Sequence, residues 1–139
     1  MNPGLMFLPC LAMLLLTAGV LFIMFRGRQR AVRAGEISAV YFKTYDTGET
    51  LPRKVKQADR CYHNLLESTP LFYMVCLAVM ALGQTNIYFI AAAWVYVLIR
   101  LLQCYVHLTS NKIGPRSQLF MISWLLLIVM AIALAVFSV

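Results

Sequence analysis

The sequence predicts an all-α integral membrane four-helix bundle with both termini outside. Three observations carry that expectation. Of 139 residues, 62% are hydrophobic and only 12% charged, a balance foreign to soluble domains. The apolar residues gather in four runs, each near the roughly 20 residues that cross a ~30 Å hydrocarbon layer as a helix. The runs are continuous, not alternating, which argues against the strands of a barrel. The cations are concentrated beside these runs and mark one side of the membrane. The length allows one domain, residues 1–139, and no separate soluble module.

The first span covers residues 4–25 and carries no charge. Nothing basic precedes it and four arginines follow, so it reads as a retained span and not a cleaved leader. The loop 26–58 holds Arg26, Arg28, Arg30, Arg33, Lys43, Arg53, Lys54 and Lys56, interleaved with Glu36, Asp46 and Glu49. Such a basic juxtamembrane loop rests against anionic headgroups. Within it, Thr47-Gly48-Glu49-Thr50-Leu51-Pro52 reads as a turn. The second span, 59–82, begins polar and becomes fully apolar from Leu71. Gly83-Gln84-Thr85-Asn86 joins it, without a charge, to the third span, 87–108, which contains Arg100. Lys112 and Arg116 precede the fourth span, 117–138. Two basic loops against one uncharged loop place the termini outside and loop 26–58 in the cytoplasm.

Several function classes fall away at this point. A net charge of +7 suggests nucleic acid, but the cations sit beside apolar spans, so topology explains them and no nucleic-acid partner is expected. Cys10, Cys61, Cys76 and Cys104 form no C-x-x-C or C-x-x-C-H, which weighs against a thioredoxin-like or c-type haem protein. They read as small apolar filler. A four-span proton-coupled exporter would carry an acid in its first span, and none is present. His63 and His107 lack a third ligand at suitable spacing, so no metal is expected.

What remains is a polar layer inside the apolar spans. Arg60, His63 or Asn64, and Glu67 recur at helical spacing, just before a run too apolar for anything but a span. An ionisable group there is costly unless it faces a partner, a cavity or a ligand. At 1.5 Å per residue from the outer ends, Glu67 lies roughly 22 Å deep and Arg100 roughly 20 Å. Arg100, Gln103 and His107 share one helical face by the i, i+3, i+7 rule. Arg116 opens the fourth span at the same boundary. A Glu67–Arg100 pair fixing two helices would account for two of these residues. Three arginines, one glutamate, an asparagine, a glutamine and two histidines point further, to an anionic guest.

These residues give the chain a resemblance to the MAPEG family, the membrane-associated proteins in eicosanoid and glutathione metabolism. The resemblance covers all four spans. It rests on Arg60-x-x-x-Asn64-x-x-Glu67-x-x-Pro70, on Arg100 with positions 103 and 107, and on Arg116-Ser117 after Gly114-Pro115. It implies a homotrimer, in a bacterial-type member of an inner membrane, binding glutathione between subunits near the cytoplasmic face. Its substrate would be a lipophilic small molecule arriving through the lipid bilayer, and its activity a transferase or peroxidase reaction. Carried over, Arg60 pairs with a glutathione carboxylate, while Asn64 and Glu67 hold its backbone and amino group. Arg100 supports Glu67 or the peptide, and Arg116 stabilises the thiolate. His63, Gln103, His107 and Ser117 complete the expected binding set. The charges suit the ligand: glutathione has two carboxylates and one ammonium. The departures are Gln103, where family enzymes commonly place tyrosine or histidine, His107, commonly tyrosine, and Phe120, where some prostaglandin-forming members have tyrosine. They leave room for an alternative, a non-catalytic member that keeps the scaffold to bind a ligand or partner.

Overall fold

The computed structural model describes residues 2–45 and 47–138, and within them every regular element is helical. In chain order these are α1 (Gly4–Arg33), the single turn α2 (Tyr41–Thr44), α3 (Arg53–Ala81), α4 (Ile87–Leu108) and α5 (Ile113–Ser138). Four of them, α1, α3, α4 and α5, are long and apolar enough to cross a membrane. The four apolar runs are thus the four long helices. Their outward faces are apolar too: Leu15 is 63% exposed, Met74 59%, Leu125 62% and Val136 68%. Such side chains are stable only against lipid or another subunit.

Two helices extend beyond the apolar runs. α1 continues eight residues past Phe25, through Arg26 to Arg33, so half of the segment expected as loop before α2 is helical. Nothing in Arg26–Arg33 breaks a helix, and cations in a last turn complement the helix dipole. The stop comes at Gly35, whose φ of +70° lets Gly35 N–H reach the Val32 carbonyl and Glu36 N–H reach that of Ala31. α3 likewise starts at Arg53, directly after Pro52, and ends on the same cap at Gly83, φ +68°. There Gly83 N–H donates to Met80 and Gln84 N–H to Val79. A left-handed glycine with this bond pair satisfies the last carbonyls of a helix. Asn86 then starts α4, its Oδ1 accepting from the N–H groups of Tyr88 and Phe89 at 3.0 and 3.1 Å.

The bundle packs α1 on α3 and α4, and α4 on α5, with α3 touching all three. Its core runs from Met6 and Met13 on α1 through Leu65, Phe72 and Val79 on α3 to Ala93 and Tyr96 on α4. Leu127, Met130 and Leu134 of α5 close it. At mid-height the rings of Phe72 and Tyr96 stack at 4.4 Å and 6°. The Tyr96 hydroxyl donates to Ser68 Oγ at 2.8 Å, so the one polar atom of that ring is satisfied. At the basic end, Arg28 of α1 pairs with Asp59 of α3, and its guanidinium also lies over the Phe42 ring at 5.1 Å. The chain between α1 and α3 folds back over this pair around Ala31, Ile37 and Val55.

Candidate functional site

α4 turns three polar side chains inward. Arg100, Gln103 and His107 are 0%, 2% and 3% exposed, stacked at i, i+3 and i+7 on the face toward α3. Opposite them stands Asn64. Arg100 Nη2 donates to its backbone carbonyl at 2.7 Å, and Gln103 Nε2 donates to its Oδ1 at 2.5 Å. One residue of α3 therefore ties two of α4. The Arg100 guanidinium also lies 5.6 Å from the Phe120 ring centre, which brings α5 into the layer.

One turn toward the basic end, Arg116 of α5 closes the layer. Its Nη1 donates to Asn111 Oδ1 at 2.9 Å and lies 3.3 Å from His107 Nε2. A guanidinium can only donate, so His107 Nε2 is the acceptor and the ring proton sits on Nδ1. Asn111 holds its place with φ at +48°, a conformation asparagine tolerates better than most residues. Gln57 of α3 donates through Nε2 to the His107 backbone carbonyl. Here a cavity of about 280 Å³ opens, lined by Arg53, Lys56, Arg60 and Arg116 together with Gln57 and His107. Among the described residues no carboxylate lines it. Four cations around one small space give it a positive potential, which suits an anion.

The layer also holds unspent hydrogen-bonding capacity. Arg100 Nε and Nη1, Gln103 Oε1 and His107 Nδ1 are buried without a protein partner among the described residues. Buried polar atoms without partners are rare, and several together mark a place where another polar group belongs.

The other sequence-predicted residues point elsewhere. Arg60, His63 and Glu67 are all exposed on the outer face of α3. His63 Nδ1 lies 2.8 Å from the Asp59 carbonyl, and neither Arg60 nor Glu67 makes a side-chain hydrogen bond or ion pair among the described residues. Glu67 and Arg100 do not pair. The reason is helical phase: Leu65 and Ser68 are the buried positions of this turn, at 0% each, and Glu67 lies off that face. Arg100 is held by the Asn64 carbonyl instead. Ser117 is exposed at the start of α5. The fold thus divides the predicted set. Asn64, Arg100, Gln103, His107 and Arg116 join inside the subunit, and Arg60 links that group to the surface through the cavity. His63, Glu67 and Ser117 face outward.

Sequence reasoning did not find Gln57, Asn111, Arg53 and Lys56. Gln57 carried a usable signal, because 57, 60 and 64 repeat the i, i+3, i+7 spacing. The lysine and arginines of the 26–58 segment read only as topology signals, and Asn111 reads as a turn residue.

Comparison with known proteins adds one finding. No curated protein and no solved structure matches the chain. A model of the MAPEG family, however, matches residues 6–136, which takes in nearly all of the four long helices and every residue of the polar layer. A match over nearly the whole length, on four membrane-crossing helices, identifies the chain as a multi-pass membrane protein belonging to the MAPEG family.

Proposed function

We propose that the protein is a membrane-embedded glutathione-dependent transferase or peroxidase acting on lipophilic electrophiles, with glutathione bound between subunits of a homotrimer. One observation carries the reading: Arg60, His63 and Glu67 are exposed on α3, beside a cationic cavity, in a helix that crosses the membrane. Lipid is a poor neighbour for a carboxylate and a guanidinium, so a second subunit and a polar ligand belong there. On the positive-inside rule the basic end, and the site with it, face the cytoplasm of a bacterial inner membrane. A cysteine placed at Leu82 is expected to react only with reagent added to the outer side, and one at Thr47 only from the cytoplasm. The reverse pattern removes the orientation.

In this reading Arg60, with Arg53 and Lys56 of the cavity, takes the glutathione carboxylates and Glu67 takes its ammonium. Arg116 stands by the sulfur, where a fixed cation favours thiolate over thiol. The thiolate then attacks an electrophilic carbon. With a hydroperoxide it attacks the outer oxygen, releasing an alcohol, and a second glutathione yields the disulfide and water. Neither step draws on a protein acid beyond what water supplies. That suits this chain, because Gln103 is neither acid nor base and its amide is committed to Asn64.

The same Gln103–Asn64 bond favours a second reading, a scaffold that binds its ligand without turnover. Calorimetry with glutathione on the purified protein in mild detergent, followed by thiolate absorbance near ~240 nm, separates the possibilities. Binding with a thiolate band supports the enzyme. Binding without one supports the scaffold, and no binding sinks the glutathione-dependent reading.

A further inference from the structure

A second cavity, of about 830 Å³, lies between the basic end of α1 and the start of α3, and takes no part in the polar layer around Arg100. One stripe of α1 lines it, from Phe22 to Ala34, roughly 18 Å of helix at 1.5 Å per residue. The stripe changes character along its length. Phe22 and Ile23 belong to the apolar run of the span and are 59% and 49% exposed, whereas Arg26 and Arg30 follow its end. Arg53 and Lys54 line the same cavity from the first turn of α3. Leu108, the last residue of α4, lies on its wall. The cavity therefore straddles the level at which the apolar runs of α1 and α4 end.

Its charge is not spent within the chain. Four cations and one acid, Glu36, line it, and none of the five is in an ion pair or a side-chain hydrogen bond among the described residues. The start of α3 adds no negative charge, having no acidic residue in its first turn. The floor between the cations is kept clear. Gly27 has no side chain, and a Cβ there would meet only Val55 Cγ2, at an ordinary 3.9 Å. Gly19 continues the stripe into the span, with nothing within 4 Å of where its Cβ would stand. Beneath, Ala31 and Val55 pack α1 on α3.

We propose that this cavity binds one anionic glycerophospholipid, its phosphate among Arg26, Arg30, Arg53 and Lys54 and an acyl chain along Phe22 and Ile23. Cations that serve topology alone need no cavity. These four share one with an apolar wall, at the height where a leaflet changes from headgroup to hydrocarbon. A free anion would use the cations and leave that wall in water, whereas a lipid uses both. Phosphate oxygens accept from guanidinium groups on both helices at once, so the bound lipid ties the end of α1 to the start of α3. Arg53 and Gln57 also line the cavity beside Arg116, so the two sites adjoin. The lipid site does not depend on the glutathione reading, because Phe22, Ile23, Arg26 and Arg30 lie outside that set.

The protein in mild detergent, without glutathione, is incubated with phosphatidylglycerol or with phosphatidylcholine and read by native mass spectrometry. The expected result is one phosphatidylglycerol retained per chain, with phosphatidylcholine held at least about tenfold more weakly. Replacing both Arg26→Gln and Arg30→Gln is expected to weaken retention by about 10- to 30-fold. Replacing both Arg33→Gln and Lys43→Gln removes as much charge away from the cavity and is expected to change retention by less than about twofold. Gly27→Leu keeps every charge and puts a side chain into the groove, and it is expected to lose the lipid as the Arg26 and Arg30 variant does. Equal losses from the two charge variants would reduce the effect to bulk attraction and overturn the proposal. So would a Gly27→Leu protein that holds the lipid like the parent. An Arg26 and Arg30 variant that dissociates into fewer subunits while keeping its lipid would also overturn it, making the groove a contact between copies of the chain.

Discussion

Glu67→Gln is expected to weaken glutathione binding by roughly 10- to 150-fold, equivalent to about 1.5–3 kcal/mol. The chain has only five acidic residues, and Glu67 is the one that lies on α3 among the exposed polar groups of the span. Its side chain makes no hydrogen bond or ion pair among the described residues, so the substitution removes no such tie of the fold. What it removes is the one negative charge available to the ligand's ammonium beside a set of cations. Arg116→Ala makes the instructive contrast. Arg116 is bound to Asn111 and His107, and its proposed role is on the thiol's ionisation, where one pKa unit is about 1.4 kcal/mol. Its loss is expected to lower the thiolate absorbance of the bound complex more than the affinity. Calorimetry and absorbance read the two effects separately. Should Glu67→Gln bind glutathione like the parent, Glu67 is a packing or assembly residue and not part of the ligand site.

Phe72→Ala is expected to cost roughly 3 kcal/mol of stability, measured by unfolding in mixed micelles. Phe72 is 0% exposed and stacked on Tyr96 at the centre of the core. The estimate takes the low end of the range for buried phenylalanine, because lipid is as apolar as a core and little transfer energy is lost. What is lost is packing: the stacked contact, and the volume the ring fills between α3 and α4. Phe72→Leu keeps most of that volume and is expected to cost less than half as much. A loss below about 0.5 kcal/mol for the alanine variant would mean that the core repacks and that the stack does not hold α3 on α4.

The spans were legible because a continuous apolar run of this length has few other uses. The polar layer was legible for the complementary reason, that Arg100 or Glu67 stands out in such a run. Direction was another matter. Spacing places Arg60, His63 and Glu67 on one face of α3, and Arg100, Gln103 and His107 on one face of α4. It does not say how either helix is rotated about its axis. In the fold α4 turns its set inward and α3 turns its set outward, so two residues at one depth, Glu67 and Arg100, do not meet. The end of α1 was not legible for a local reason: arginines end the apolar run but not the helix, which continues until Gly35 supplies a left-handed stop.

The central claim is that a second subunit and glutathione complete the outward polar face of α3. Native mass spectrometry of the protein released from mild detergent, with and without glutathione, tests it most directly. The account predicts a trimer that retains glutathione, and for Glu67→Gln a trimer that has lost it. A monomer in both conditions, or a trimer that never holds the ligand, would contradict it.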